Sequence, residues 1–437
     1  MTFKTIIALL TLSAVAFSVE SANEKTEDMW GDEVWGENWQ EEETSPWSVA
    51  GFVEVAYGKR LQSDVLFERP ETLEEVRGHL ELDYTATGFE FSFAGDTWYD
   101  GVTEQQEYDI REFVVDISAL ENTDIKLGRQ VITWGTGDLV FLNDLFPKDW
   151  ESFFAGRDDT YLKASSNSLR VTSYFSAINI DFVWTPVFTA DHYIDGERFS
   201  FFNPLAGQQV GGQDRVNPVE PKETLSNSEL ALRLYKNIDG VEYAVYGYRG
   251  FDKQPVGLTD DSEPTFHRKD IVGASIRGAV ASGLYHTELA YHDAKKDGNG
   301  TNPLVSNSQL RWLIGYEREV ATRLTLGLQY YLEWTQDYDE LLENSPYPQF
   351  EVTEKRHLVT TRLTYRSQKD EWIWSLFGFY SPSDKDSYIR PSVSYRFSDE
   401  WAFTAGANIF SGRDDHTFFG QFKDASNAYV RVRYNFN

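Results

Sequence analysis

Residues 323–334 read RLTLGLQYYLEW. In an extended chain, one face of this stretch carries Leu324, Leu326, Leu328, Tyr330, Leu332 and Trp334. The other face carries Arg323, Thr325, Gly327, Gln329, Tyr331 and Glu333. Since successive side chains of a β-strand point to opposite faces of the sheet, the stretch predicts a strand with one face suited to lipid and one suited to water.

Similar stretches of about ten residues, the length of a transmembrane strand, recur along the chain. They are joined alternately by tight turns and by longer polar loops, an alternation that a soluble sandwich has no reason to keep. The predicted strands are 47–58, 75–86, 89–99, 107–118, 124–133, 168–175, 178–187, 228–236, 240–249, 270–279, 283–292, 306–318, 323–335, 354–366, 371–380, 387–397, 401–410 and 425–436. We therefore predict an all-β fold: a transmembrane antiparallel β-barrel of about 18 strands (16–18), with short periplasmic turns and nine long external loops.

The two ends of the chain indicate the compartment. Lys4 precedes an apolar run over 6–17, followed by small and acidic residues, which is the order of a secretory signal. We predict a signal peptide over 1–21, a tail over 22–46 and the barrel over 47–437. The closing strand ends in Phe436, which resembles the signal that the barrel assembly machinery reads, although Asn437 follows it. The predicted location is the outer membrane of a Gram-negative bacterium, in contact with lipid and lipopolysaccharide.

Composition agrees with a barrel. Only 41% of the residues are hydrophobic, and the formal net charge is −30, yet the chain contains 24 Tyr, 30 Phe and 13 Trp. Many aromatic residues with weak overall hydrophobicity are typical of a barrel with interfacial aromatic girdles. The chain has no cysteine, which excludes disulfides and thiolate chemistry.

Charged residues on the water-facing phases of the strands are unevenly distributed. Arginines dominate the later strands, and carboxylates dominate the first four. The arginines are Arg170, Arg233, Arg277, Arg311, Arg362, Arg390, Arg396, Arg431 and Arg433; the carboxylates are Glu54, Glu81, Asp83, Glu90, Asp96, Glu112 and Asp116. Two interpretations stay open: opposed walls that create a field across a water-filled pore, or internal salt bridges that fill a narrow lumen.

The third long loop is unusually apolar. Residues 139–146 are mostly hydrophobic and are followed by Arg157, Asp158, Asp159 and Lys163. Because a loop of this kind is unfavourable in water, we expect it to fold into the barrel and to place these four residues near a constriction. A cap on the external rim is the alternative.

The strand before this loop carries a G-R-Q-x-x-x-W-G pattern, formed by Gly128, Arg129, Gln130, Trp134 and Gly135. The pattern resembles the signature of an uncharacterised proteobacterial family of outer-membrane barrels, and it is similar to porin-like barrels in which such a strand precedes an inward loop. The resemblance covers residues 125–186. It implies a porin-like channel, and self-association as in porin-like barrels. Some members of the family resemble components encoded with inner-membrane transporters, which implies the movement of lipids or other hydrophobic compounds.

The tail contains repeated units of tryptophan, glycine and acid around Trp30, Trp35 and Trp39. It is either a disordered periplasmic segment or a short motif that binds a periplasmic partner or enters the barrel, with these tryptophans as anchors.

Enzymatic and metal sites have weak support in the sequence. The residues Asp414, Asp415 and His416 form a short acid–histidine run without a second matching pair, so we interpret them as part of a solvated loop. The acidic runs at 260–261 and 297–300 lack the full spacing of a calcium site. We predict no catalytic, metal or cofactor site and no nucleic acid partner.

Two functions remain. The first is diffusion of small polar or charged solutes through a charged lumen. The second is the outer-membrane part of an envelope-spanning transport system with a periplasmic or inner-membrane partner.

Overall fold

The computed structural model of the protein describes residues 45–437. Eighteen strands form one closed antiparallel sheet. They are β1 (Trp47–Arg60), β2 (Glu71–Ala86), β3 (Phe89–Asp100), β4 (Gln105–Leu120), β5 (Thr123–Val131), β6 (Ser165–Tyr174), β7 (Asn179–Thr185), β10 (Glu229–Ile238), β11 (Val241–Phe251), β14 (Arg268–Val280), β15 (Gly283–Ala294), β16 (Gln309–Ala321), β17 (Leu324–Thr335), β18 (Lys355–Arg366), β19 (Trp372–Ser381), β20 (Asp386–Arg396), β21 (Trp401–Gly412) and β22 (Asn427–Phe436).

The remaining elements lie in the loops. Four short strands form two small hairpins, β8 (Phe201–Asn203) with β9 (Gln208–Val210) and β12 (Gly257–Leu258) with β13 (Pro264–Thr265). Two short helices are α1 (Trp150–Ala155) and α2 (Tyr338–Asn344). In the described part of the chain, no helix has the length and apolar character needed to cross a membrane.

The sheet closes because β1 pairs with β2 on one side and with β22 on the other. This closure leaves no free sheet edge, so the backbone groups of every barrel strand find partners within the ring. The predicted fold and strand number are confirmed.

The connections alternate in length as predicted. The short connections lie at what we call the turn end, and the other nine lie at the loop end. Two loop-end connections, 101–104 and 382–385, have only four residues and are exceptions to the expected long loops. At the first, the Asp100 side chain accepts hydrogen bonds from the backbone N–H groups of Val102 and Thr103, which allows a tight turn.

The outer face carries an apolar band between two sets of aromatic side chains. On β1, the outward-facing Trp47 and Tyr57 flank the exposed Val49, Val53 and Val55. Ten residues of strand span about 33 Å, which a strand tilt of about 45° reduces to about 25 Å, the height of the apolar band of membrane barrels.

Aromatic pairs reinforce the girdle at the turn end. Their ring centroids lie 4.4–5.1 Å apart; the pairs are Trp47–Tyr84, Trp372–Tyr395 and Trp401–Tyr434. Each pair joins neighbouring strands on the outer face. This surface is built for the boundary between hydrocarbon and water.

Replacing Val53 in the middle of the band with arginine should destabilise the barrel by about 2–4 kcal/mol, because the charge would lie near the bilayer midplane. Replacing the exposed Leu120, at the turn end of β4, should cost about 1 kcal/mol or less. Urea unfolding in lipid vesicles measures both. Equal losses of stability in Val53→Arg and Leu120→Arg would show that Val53 does not lie near the bilayer midplane.

Candidate functional site

Residues 132–164 connect β5 to β6, and we call them the inner loop. The loop contains α1 and a 3₁₀ turn at Asp159–Leu162. The side chain of Asp149 caps α1 by accepting from Ser152, and Gly156 ends it with φ of 90°. A Cβ atom at Gly156 would lie 2.2 Å from the Tyr429 ring, so α1 is pressed against the wall of the barrel.

The apolar side of the inner loop packs against inward-facing wall residues. The ring of Phe154 lies 5.4 Å from Tyr388 and 4.9 Å from Phe410 of the wall, and 5.0 Å from Phe422 of the loop at 413–426. On another part of the wall, Leu142 belongs to the same buried cluster as Leu313 of β16. The hydrophobic run that was unusual in the sequence therefore forms an apolar core together with the inner face of the barrel.

The first half of the loop is bound to the wall at two buried carboxylates. The indole N–H of Trp134 donates to Asp181 of β7 at 3.0 Å. Glu288 of β15 accepts from the backbone N–H groups of Thr136 and Gly137, and from the side chain of Asn143 at 2.8 Å. Both carboxylates are 1% exposed.

Asp138 extends this attachment to β17 and β18. Its carboxylate meets the guanidinium of Arg362 at 2.5 Å, and its backbone N–H donates to Gln329 at 2.8 Å. Arg362 lies only four residues before the turn end of β18. The inner loop therefore contacts wall side chains on the turn-end half of that strand.

The second half of the loop meets strands on both sides of the β1–β22 junction. Arg157 contacts Glu75 of β2, and Asp159 contacts Arg390 of β20 at 2.9 Å. Arg111 of β4 donates to the carbonyl groups of Thr160 and Lys163. Contacts of the loop with β2, β4, β7, β15, β18 and β20 mean that it meets widely separated parts of the wall.

Asp158 lies between two arginines of the closing strand. Its carboxylate is 3.1 Å from Arg431 and 3.4 Å from Arg433, and both arginines also contact Glu54 of β1. Burial alone would raise the pKa of Asp158, but the two guanidinium groups outweigh it and lower the pKa to about 2. Asp158 thus ties the inner loop to the strand that closes the barrel.

The predicted pore-lining residues fall into three groups. Asp158, Asp159 and Lys163 lie on the partly exposed side of the loop, whereas Arg157 is buried between Glu75 and Asp100. Four wall residues form ion pairs with other wall residues: Arg170 with Asp181, Arg233 with Glu242, Arg311 with Glu333 and Asp116 with Lys126; Glu81 lies 3.0 Å from the His79 ring. Arg362, Arg390, Arg431 and Arg433 contact loop carboxylates, while Asp83 and Arg396 lie near the turn end.

Sequence reasoning missed several residues of this site, above all Glu288, Asp181, Glu75 and Arg111. Alternation along the strands predicts the inward phase of Glu288, Asp181 and Glu75. Arg111 falls on the opposite phase to Glu112 and faces the loop because of a register shift between β3 and β4. The contacts of all four with the loop could not be predicted, because each joins residues far apart in the chain.

The motif residues before the loop have structural roles. Gly128 has φ of 135°, and a Cβ atom there would lie 2.1 Å from the carbonyl oxygen of Phe113. Gln130 is buried and donates to the carbonyl of Ser168 on the next strand. Arg129 forms an ion pair with Asp109 of the neighbouring strand β4. These contacts fix the end of β5 from which the inner loop departs.

The acidic runs at 260–261 and 297–300, His416 and the tail are the remaining features singled out in the sequence. Within residues 45–437, no group of three acidic or histidine side chains is placed to hold a metal ion. Asp297 accepts from the backbone N–H groups of Thr301 and Asn302, and the His416 ring lies near Phe202 and Phe350. The signal peptide and Trp30, Trp35 and Trp39 lie outside the described residues.

Replacing Gly128 with alanine should destabilise the barrel by about 2–4 kcal/mol, from the steric contact and the left-handed backbone together. Gly247 of β11 is the matched control, since a Cβ there meets nothing within 4 Å. Unfolding titrations of Gly128→Ala and Gly247→Ala test this. Equal stability of the two variants would contradict the role assigned to Gly128.

The contribution of Asp158 should depend on pH. Its pKa is lower in the folded protein than the usual value of about 3.9, so its stabilisation of about 2 kcal/mol is present above about pH 4 and is lost as pH falls towards 2. The difference in thermal unfolding temperature between wild type and Asp158→Asn should therefore shrink from pH 5 to pH 2. A difference independent of pH would argue against this ion-pair cluster.

No protein-family model matches the chain, and no curated protein matches it. Solved structures do resemble it. OccAB3 of Acinetobacter baumannii has a TM-score of 0.52 at 10% identity, with 89% of this chain and 99% of that chain covered. OccD3 (OpdP) of Pseudomonas aeruginosa has a TM-score of 0.51 at 11% identity, with 89% and 90% covered. OccK5 (OpdH) of Pseudomonas aeruginosa has a TM-score of 0.50 at 14% identity, with 89% and 97% covered. At these identities the likeness concerns the fold, which is that of an outer-membrane β-barrel of Gram-negative bacteria, as the sequence predicts.

Proposed function

We propose that this protein is a porin-like channel for the diffusion of small polar or charged solutes, narrowed by the inner loop. The observation that carries the proposal is the two-sided character of that loop. Its apolar side chains pack on the wall, whereas Thr133, Asp159 and Thr160 are exposed and Asp138 and Lys163 are partly exposed. A loop that only filled the barrel would not need a polar edge of this kind.

The charge distribution supports passage of polar solutes. Towards the turn end, the inner faces of β2, β3 and β4 carry Glu81, Asp83, Glu90, Glu112 and Asp116. Inward positions of β14, β18 and β20 carry the exposed Arg277, Arg366 and Arg396. Opposite charges on separate parts of a water-filled wall create a field that orients polar and charged solutes.

The wall arginines nearest the inner loop have a different role. Asp138, Asp158 and Asp159 of the loop, together with Glu54 of β1, neutralise Arg362, Arg390, Arg431 and Arg433. We therefore propose that the two interpretations of the charges describe different levels of the lumen. Salt bridges occupy the space around the inner loop, whereas the acidic and basic parts of the wall nearer the turn end face water.

Planar-bilayer recording of the purified protein should show stepwise ion conductance. Lys163→Glu should shift the reversal potential in a salt gradient towards cation selectivity, because it reverses a charge on the polar edge of the loop. Lys222→Glu is the matched control, an exposed lysine in the loop at 186–228. Absence of conductance from the folded wild-type barrel would overturn the proposal. Equal shifts of the reversal potential in both variants would show that Lys163 does not lie on the conduction path.

A further inference from the structure

We propose that Glu288 is the positioning residue that holds the inner loop at a fixed depth in the barrel and thereby sets the width of the channel. This inference rests on the proposed channel function. It concerns a wall residue that the sequence pattern did not single out.

Glu288 holds the loop from two sides. Its Oε1 atom accepts from the backbone N–H groups of Thr136 and Gly137, the second at 2.9 Å, and from the Thr136 hydroxyl at 2.8 Å. Its Oε2 atom accepts from the Asn143 side chain at 2.8 Å. Both ends of the stretch 136–143 are thus bound to a single carboxylate, which restricts rotation as well as displacement of the loop.

The partners of Glu288 are neutral loop donors. Two successive backbone N–H groups directed at one oxygen form a concave anion site, and hydrogen bonds to an ionised acceptor are stronger than those between neutral groups. Glu288 and Asn143 are 1% and 0% exposed. Because burying a carboxylate is costly without a full set of donors, the docked loop and the charged wall residue depend on each other.

The local sequence of the loop fits this carboxylate. Gly135 has φ of 80°, and a Cβ atom there would lie 3.1 Å from Glu288 Oε1. A Cβ atom at Gly137 would lie 2.3 Å from the carbonyl oxygen of Val140. Glycine at both positions lets the backbone N–H groups of Thr136 and Gly137 face the carboxylate. The preceding residue, Trp134, is fixed by its hydrogen bond to Asp181.

The contact at Glu288 differs from the ion pairs at the polar edge. The side chains of Asp138 and Arg362 are 38% and 26% exposed, and that of Asp159 is 55% exposed. Such pairs are screened by salt, whereas buried contacts are screened much less. Under the ionic conditions of a channel, we therefore assign the depth of the stretch 136–143 to Glu288 rather than to these exposed pairs.

The experiment compares Glu288→Gln and Glu288→Ala with Glu242→Gln. Glutamine keeps the shape of Glu288 but replaces one of its two acceptor oxygens with an NH₂ donor, whereas alanine removes both acceptors. Glu242 is another inward-facing carboxylate, paired with Arg233 at 2.7 Å. Retention of the folded barrel is checked by the heat-dependent shift in gel mobility.

Two measurements separate loop position from conduction. The first is single-channel conductance with size exclusion by polyethylene glycols. The second is thiol labelling of Val140→Cys, introduced into each background. Val140 is 8% exposed, cysteine is close to it in size, and the chain has no other cysteine.

With either Glu288 variant, we expect a larger single-channel conductance, passage of larger polymers and faster labelling of the cysteine introduced at position 140. Labelling should accelerate by about tenfold or more, the factor that corresponds to loss of one charge-assisted hydrogen bond. Glu242→Gln should change neither measurement. Unchanged labelling and conductance in folded Glu288→Ala would overturn the proposal, as would equal changes in Glu242→Gln. If wild type does not conduct, the channel function fails, while labelling still decides whether Glu288 holds the loop.

Discussion

The pairing of β1 with β22 joins the two ends of the barrel sequence, from Arg60 opposite Asn427 to Gly51 opposite Phe436. In hydrocarbon an unpaired backbone group is costly, so a sheet of this kind is stable only when its last strand meets its first. Closure also separates the two faces of every strand. Alternate residues then face lipid or an enclosed lumen, and the outer apolar band and the inner charges follow from this one constraint.

The lumen that closure creates contains charged side chains, which need partners, and a volume, which other groups occupy. Arginines on the inner faces of the late strands would repel one another if they stood alone, and the inner loop brings Asp138, Asp158 and Asp159 to them. The apolar residues of the same loop cover apolar wall residues such as Tyr388 and Leu313. The loop at 186–228 adds Arg198, 1% exposed, which pairs with Glu151 of α1 and with Asp100. The inner loop is thus held from both sides by side chains that come from distant parts of the chain.

The barrel was predictable from the sequence because its signal is local and repeated. Alternation within 323–334 and the short turn that precedes it require no knowledge of distant residues. The unusual hydrophobicity of 139–146 was also readable and favoured an inward fold. The partners of the loop were not readable. Glu288 and Gly137 are 151 positions apart, and Asp138 and Arg362 are 224 apart, so only the closed barrel brings them together. The sequence left open whether the arginines oppose an acidic wall or form internal salt bridges, and it did not indicate that loop carboxylates lie beside several of them.

The contacts of the inner loop divide into two physical classes, and the division bears on how a channel can be both narrow and permeable. Buried contacts at Glu288 and Asp181 involve groups from which water is excluded, so solutes and salt reach them poorly. The carboxylates of Asp138 and Asp159 lie at the polar edge, 38% and 55% exposed, where water and ions replace their arginine partners at smaller cost. If the same groups both held the loop and met the solute, each passing ion would weaken the constriction. In the proposed channel, attachment through the buried wall lets the carboxylates of the edge interact with solutes without moving the loop.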